Sequence, residues 1–270
     1  MQKSGCARCT KKKDPTEISN YRPITLLNTD YKTLTKALAV QLIEEIENLI
    51  HPDQARFIKN HSIFNQIHLA KSIINYAEVT HENGAIVALD QEKAYDKIKH
   101  DYLWETMEKF GIPSTFINTV KSLYGNAYTK VAINGTFSEP YKVTRGVRQG
   151  DPLSCALFDL AIKPLACRLQ SDPRIHGYRI LGSEEKLVTS LFADDTSIFL
   201  SQNDKMDDVQ NILDEWCQAS GAKFNIEKTE IIPIGTPEHH NQVATSRKLN
   251  PHNQSNLDEK IRITNHGEAT

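Results

Sequence analysis

Three carboxylates stand where apolar segments of this 270-residue chain break off. Ala85 to Leu89 is an unbroken apolar run introduced by Asn83-Gly84, and it stops at Asp90. Leu187 to Ala193 and Thr196 to Leu200 alternate on either side of Asp194-Asp195. The first run is too short for a helix and suits a strand buried on both faces. Pairing the two strand regions would converge all three carboxylates into a set of hard oxygen donors suited to Mg²⁺. Two such ions about 3.5–4 Å apart can stabilise the attacking and the leaving oxygen of an in-line displacement at phosphorus. On the residues alone a plainer reading stands beside this one, since Asp-Asp is acceptable turn chemistry and Asp90 can be an ordinary strand end.

The elements that must position these residues read as follows. Leu34, Leu38, Leu42, Ile46 and Leu49 recur at helical spacing from Tyr31 to Ile50, and Pro52 stops the pattern. A second helix fits Ile63 to Ala77, with Ile67, Ala70, Ile73, Ile74 and Ala77 on its inner side. Asp101 can cap a helix running to Phe110, and Ser114 opens another that closes at Gly125. Thr129 to Ile133 and Thr136 to Val143 flank Asn134-Gly135, the pair a tight type I′ hairpin turn prefers. The polar loop Arg145 to Asp151 leads to Pro152, suited to a first helical turn, and an apolar helix follows to about Leu169, kinked at Pro164. Val209, Ile212, Leu213, Trp216 and Cys217 mark a helix ended by Gly221, and Lys223 to Ile234 is strand-rich. Residues 1–15 read as a flexible lead-in and 236–270 as a poorly ordered tail.

With 39% apolar residues the chain can bury one or two ordinary cores. The formal net charge of -2 supplies no general basic surplus, so positive potential toward a nucleic acid would have to be local, along a groove. No apolar run approaches membrane-spanning length, and the N-terminus begins with polar and basic residues, so a soluble intracellular protein is expected. Of the five cysteines only Cys6 and Cys9 have metal-like spacing. A structural zinc site wants four ligands, so all five read as reduced thiols, with Cys155 and Cys167 in a helical core.

Further segments complete a pattern. They are Tyr21-Arg22-Pro23-Ile24; Leu89-Asp90 with Lys93-Ala94-Tyr95-Asp96 behind it; Arg148-Gln149-Gly150-Asp151-Pro152-Leu153-Ser154; Phe192-Ala193-Asp194-Asp195; and Asn225 with Lys228-Thr229. In this order and spacing the set resembles the reverse transcriptases of non-LTR retrotransposons, most closely those of fungal genomes, over about residues 15–237. The resemblance implies an α+β fold with a right-hand polymerase palm, an antiparallel sheet backed by helices, and helical and hairpin fingers. It divides the chain into fingers at 16–83 with 111–144, and a palm core at 84–235, with no thumb.

The same resemblance implies RNA-directed DNA synthesis with two Mg²⁺ ions, or Mn²⁺, held by Asp90, Asp194 and Asp195. Tyr95 corresponds to the aromatic gate against a ribose 2′-hydroxyl, Gln149 and Gly150 to the loop that contacts the incoming nucleotide, and Lys228 to a lysine near the triphosphate. Where the family carries an arginine after its Phe-Ile pair, this chain has Asn60 and His61, leaving Lys59 as the compensating cation. Implied partners are an RNA template, a DNA primer and deoxynucleoside triphosphates, with no membrane, and the site of action is the nucleus. The altered 54–63 segment and the chain's end before a primer grip also fit a rival reading, a catalytically silent remnant with weak nucleic-acid binding.

Overall fold

The segment Gly84–Leu89, apolar throughout, forms a strand with neighbours on both sides. A computed structural model describes residues 5–10, 21–46, 63–125, 127–133, 135–179, 186–192, 195–225 and 228–245. In chain order the elements are β1 (Gly5–Thr10), β2 (Tyr21–Leu26), α1 (Thr29–Ile46), α2 (Ile63–Thr80), β3 (Gly84–Leu89), α3 (Ala94–Lys97), α4 (His100–Lys109), α5 (Ser114–Gly125), β4 (Tyr128–Thr129), β5 (Ala132–Ile133), β6 (Thr136–Phe137), β7 (Tyr141–Lys142), α6 (Ser154–Ser171), β8 (Tyr178–Arg179), β9 (Lys186–Leu187), β10 (Thr189–Phe192), β11 (Asp195–Ser201), α7 (Met206–Ser220), β12 (Glu230–Ile234) and α8 (Pro237–Thr245). They fall into two compact units. One comprises Met1–Ile50, Lys93–Lys163 and Ala219–Gly221, the other His51–Glu92, Pro164–Gln218 and Ala222–Thr270.

The second of these units is built on a four-stranded sheet in the order β10-β11-β3-β12, antiparallel throughout. A strand in the middle of such a sheet loses water on both faces, which suits β3, whose Ile86, Val87 and Leu89 are all buried. β12 pairs only with β3 and is an edge, and it alone among these strands carries a proline, Pro233, where a missing N–H costs least. α2 packs Ile73 and Ala77 against Ile86, Phe199 and Ile234 of the sheet and against Tyr178. α7 buries Val209, Ile212, Leu213 and Trp216, the i, i+3, i+4, i+7 stripe of an amphipathic helix.

The other unit is mainly helical. Leu103 and Met107 of α4 and Ile117, Val120 and Tyr124 of α5 are buried, as are Leu157, Phe158, Leu160 and Ala161 in the first half of α6. Pro164 sits within α6, where its ring displaces the hydrogen bond to a carbonyl one turn back. The nearby Ala161 carbonyl accepts a hydrogen bond from the Tyr102 hydroxyl at 3.0 Å.

The expected α+β class holds, and so does each expected helix, with changes that have physical causes. Leu34 and Ile67 face solvent, because α1 and α2 bury narrower stripes centred on Leu38, Ala39 and Leu42 and on Ile73 and Ala77. Asp101 does not cap α4: the N-cap is Lys99, without a side-chain bond, and Asp101 lies in the first turn, where the helix dipole favours a carboxylate. Pro152 precedes α6, and the Asp151 carboxylate caps by accepting the Leu153 N–H at 3.0 Å.

The single expected hairpin is divided into two pairings, β4 with β7 and β5 with β6. Glu139 and Pro140 stand opposite Lys130 alone, and the proline cannot donate to the ladder. Gly5–Thr10, expected in the lead-in, is strand β1 paired with β2, and Pro237–Thr245, expected in the tail, is α8. Cys155, Cys167 and Cys217 are outside any disulfide, and they are half-buried, where Cys155 and Cys167 were expected in the core. Among the described residues no helix is long and apolar enough to cross a membrane.

Phe199 is 1% exposed at the centre of the sheet's core. Phe199→Ala should therefore cost about 3–5 kcal/mol of stability in urea unfolding, whereas Ile67→Ala should stay within about 0.5 kcal/mol. Equal costs would contradict the assignment of faces.

Candidate active site

Two groups of candidate residues lie in different units. In the sheet unit, the antiparallel register pairs Thr196 with Leu89. One step further along the same register sets Asp195, the first residue of β11, across from Asp90, the residue that follows β3. β10 and β11 pair through Phe192 and Asp195, and the two residues between them include Asp194, which lies outside the described residues. Strand pairing thus leaves Asp90 and Asp195 at neighbouring ends of two adjoining strands. Gln66 on α2 reinforces the hairpin by donating its side-chain amide to the Leu191 carbonyl.

Beyond β3 the chain is held by the segment before β12. The Asp90 carbonyl accepts the Asn225 N–H at 2.8 Å, Gln91 bridges to Phe224, and the Glu92 N–H donates to the Lys223 carbonyl at 2.8 Å. The Asn225 carbonyl in turn accepts the N–H groups of Lys228 and Thr229 at 3.2 and 3.0 Å and the Thr229 hydroxyl at 3.0 Å. This turn brings the Lys228 ammonium to 3.0 Å from Asp90 Oδ2. Lys228 is thus a direct partner of a candidate metal ligand.

These residues fit a hard divalent cation. The donors are carboxylate oxygens, Asp90 is about one-third exposed and Asp195 is exposed, so an ion can reach both. The Gln91 carboxamide and the Thr196 hydroxyl, directly after Asp90 and Asp195 in the chain, are buried without a hydrogen-bond partner. Successive side chains along a strand point to opposite faces, so these atoms call for buried water rather than for an ion held by the carboxylates. The Lys228 pair is open to solvent, and exposed pairs contribute only about 0–1 kcal/mol, so a divalent ion can displace the ammonium at little cost. Among the described residues no cluster of three His, Cys, Asp or Glu side chains forms a metal site, and Asp194 is not one of those residues.

In the helical unit, Lys93 turns the chain through a left-handed conformation, φ 49°, into the single turn α3. A lysine there is strained, a feature that clusters at functional sites. The Tyr95 ring stacks on Phe158, centroids 4.8 Å apart and planes 13° apart, and its hydroxyl lies 3.8 Å from Cys155 Sγ. Its backbone carbonyl accepts the Val147 N–H at 2.6 Å, and the Gly146 N–H donates to Ile98. Gly146 adopts φ +81°, and a Cβ there would come within 2.8 Å of the Asp96 Cα and the Tyr95 carbonyl. Only glycine lets the two segments approach this closely.

The loop that carries Gln149 and Gly150 is anchored by Arg148. Its guanidinium lies 4.7 Å from the Tyr31 ring centre and 5.0 Å from that of Tyr124, and donates to the Leu123 carbonyl at 3.0 Å. The Gln149 side chain favours the charged form of the Asp96 carboxylate. Burial raises the Asp96 pKa above the ordinary carboxylate value, against the pull of Lys93, Gln149 and Arg145. Burial likewise pushes the Tyr124 hydroxyl up to about 12, with the charge of the buried Asp151 adding to it. Gly150 is exposed with φ +89°.

Arg148, Asp96, Gln91 and His100 were not singled out by sequence reading. Arg148 and Asp96 stand inside motifs named above without a role of their own, and Gln91 and His100 gain meaning only from burial. Lys59 lies outside the described residues.

The reverse transcriptase (RNA-dependent DNA polymerase) family matches residues 10–254. The chain is 34% identical over 219 residues to the transposon TX1 uncharacterized 149 kDa protein of Xenopus laevis, covering 81% of this chain and 17% of that protein. It is 31% identical over 187 residues to the retrovirus-related Pol polyprotein from type-1 retrotransposable element R2 of Popillia japonica, covering 69% of this chain and 26% of that protein. Both relatives come from animals, where the motifs pointed to fungal elements, and the chain spans about a quarter or less of each relative's length. The structure of telomerase from Candida tropicalis in complex with a fragment of telomeric RNA superposes with a TM-score of 0.63 at 15% identity, covering 86% of this chain and 41% of that one. This likeness shows the fold.

His100 fixes the Gly146 loop by donating Nε2–H to the Gly146 carbonyl at 2.9 Å, with its ring against Trp104 and Tyr124. Burial lowers its pKa below the usual value, so the folded ring resists protonation while the unfolded one takes up a proton near about pH 6.5. Its contribution to stability is therefore lost as pH falls through about 6.5 and below. His100→Asn should lose less stability than the parent between about pH 7 and pH 5 in urea unfolding; identical losses would contradict this role.

The family match, the strand register that joins Asp90 to Asp195 and the telomerase-like fold agree: the chain belongs to the reverse transcriptase (RNA-dependent DNA polymerase) family, with homologues carried by non-LTR retrotransposons.

Proposed function

We propose that the chain carries out RNA-templated DNA synthesis, extending a DNA primer with deoxynucleoside triphosphates by two-metal nucleotidyl transfer. The observation that carries this reading is the register that sets Asp195 across from Asp90 at the ends of adjoining strands in a chain of this family. Asp90, Asp194 and Asp195 would hold two Mg²⁺ ions, or Mn²⁺ in their place. When bound, such ions stabilise the attacking and the leaving oxygen.

The chain's own residues have separable tasks. The β3–β11 ladder keeps the carboxylates rigid, so little reorganisation is needed when the substrate arrives. Lys228 neutralises Asp90 in the resting protein and supplies a positive charge toward a triphosphate once released. Tyr95, braced flat against Phe158, selects against a 2′-hydroxyl because a stacked ring cannot swing aside without losing that contact. Gln149 and Gly150 contact the incoming nucleotide from a loop that Arg148 holds from behind. Lys59 would add a cation for the phosphates. In this reading residues 84–235 are the palm, 16–83 with 111–144 the fingers, and the site of action is the nucleus.

Single-nucleotide extension of a DNA primer on an RNA template tests the proposal. Incorporation of dNTP should fall to background in Asp194→Ala, and Tyr95→Ala should raise rNTP use relative to dNTP. No incorporation at high protein, dNTP and Mn²⁺ concentrations, from chain shown to be folded, would make the silent remnant the better reading.

A further inference from the structure

The inward stripe of α1 begins with an aromatic residue. Tyr31, Thr35, Leu38 and Leu42 are buried, and their spacing sets them on one face of the helix. Leu38 and Leu42 are ordinary core side chains. Tyr31, in the first turn, instead meets a charge. The Arg148 guanidinium lies 4.7 Å from its ring centre and 5.0 Å from that of Tyr124. A cation over an aromatic face is attracted by the ring's quadrupole, most strongly where water does not compete. Both rings meet that condition, at 6% and 1% exposure. Burial, and then the charge of Asp151, push the Tyr31 hydroxyl above the ordinary tyrosine pKa, so its ring stays neutral beside the cation.

The guanidinium also donates to the Leu123 carbonyl, in the last turn of α5, where carbonyls lack helical partners and a cation is favoured. Arg148 thus ties the start of α1 and the end of α5 to its own loop. The same stretch of chain approaches that loop a second time. A Cβ at Gly150 would stand 3.5 Å from the Thr25 carbonyl of β2, and α1 follows β2 directly. The β2–α1 segment therefore meets the loop on both sides of Gln149. An apolar cluster would have cost less to bury than one that includes Arg148 and Asp151. What a satisfied polar cluster supplies instead is a single geometry.

We propose that Tyr31 is a positioning residue: through the Arg148 guanidinium it locks the loop that presents Gln149 and Gly150, and nucleotide use depends on that lock. The inference rests on the proposed contact of this loop with the incoming nucleotide. The lock itself is measurable without turnover.

Amide hydrogen exchange of the full chain reads the lock at Val147 and Asp151, whose N–H groups donate to the Tyr95 and Arg148 carbonyls. The Ile117 amide, which donates to Pro113 in the same unit, reports general opening and serves as the reference. Relative to it, Tyr31→Leu should speed exchange at both sites by about tenfold, and Tyr31→Phe, which keeps the ring, by less than about twofold. Leu42→Ala removes core packing on the same stripe, about three turns further along, and should leave the ratio unchanged. In single-nucleotide extension, Tyr31→Leu should raise the dNTP KM roughly tenfold with kcat within about twofold of the parent. Tyr31→Phe and Leu42→Ala should keep the parent's KM. An unchanged exchange ratio or an unchanged KM in Tyr31→Leu, or equal changes in Leu42→Ala, overturns the proposal. Ring-dependent exchange in a chain that extends no primer removes the polymerase reading and leaves the lock standing.

Discussion

Antiparallel pairing of β11 with β3 is the constraint on which the candidate site depends. Each strand alone ends in an unremarkable acidic residue. Paired, with Thr196 across from Leu89, they bring Asp195 to the level of Asp90. Like charges so placed repel, and a sheet tolerates them because its core is apolar elsewhere: Val87, Ile198 and Phe199 are all at or below 1% exposure. Lys228 offsets the repulsion in the resting protein, delivered by the turn that Asn225 organises. The burial energy of the strands thus holds in place a charge arrangement that would not persist on a mobile loop.

The other unit solves a different problem, the placement of a polar loop whose outer residues stay usable. Arg148 is fixed between two tyrosine rings, Gly146 is pressed against the backbone of Tyr95 and Asp96, and His100 holds the Gly146 carbonyl. The residues that follow, Gln149 half-buried and Gly150 exposed, inherit their positions from these anchors. The arrangement also buries polar atoms of Tyr31, Tyr124, Arg148, Asp151 and Ser154 together.

Much of this was legible in the sequence because it rests on local signals. The five-residue apolar run before Asp90, the alternation around Asp194-Asp195 and the helical stripe from Val209 to Trp216 each translate directly into an element. What escaped detection depended on pairing across long separations or on burial. β1 pairs with a strand beginning eleven residues beyond its own end, and its own residues carry no strong strand pattern. Leu34 and Ile67 have helical spacing yet face solvent, since periodicity does not say how wide a stripe the neighbours will cover. Pro140 divided the hairpin that Asn134-Gly135 announced. The Lys228–Asp90 contact joins residues far apart in the chain and has no sequence signature.

The central claim is that Asp90 and Asp195, held at one level by the β3–β11 register, form a divalent-cation site. Titration of the full chain with Mn²⁺, followed by electron paramagnetic resonance, measures this without needing turnover. Binding should weaken by more than about tenfold in Asp90→Asn and in Asp195→Asn, both with unaltered circular dichroism, since even an outer partner of a metal ligand is worth that much. Mn²⁺ affinity equal to the parent's in both variants would contradict the account.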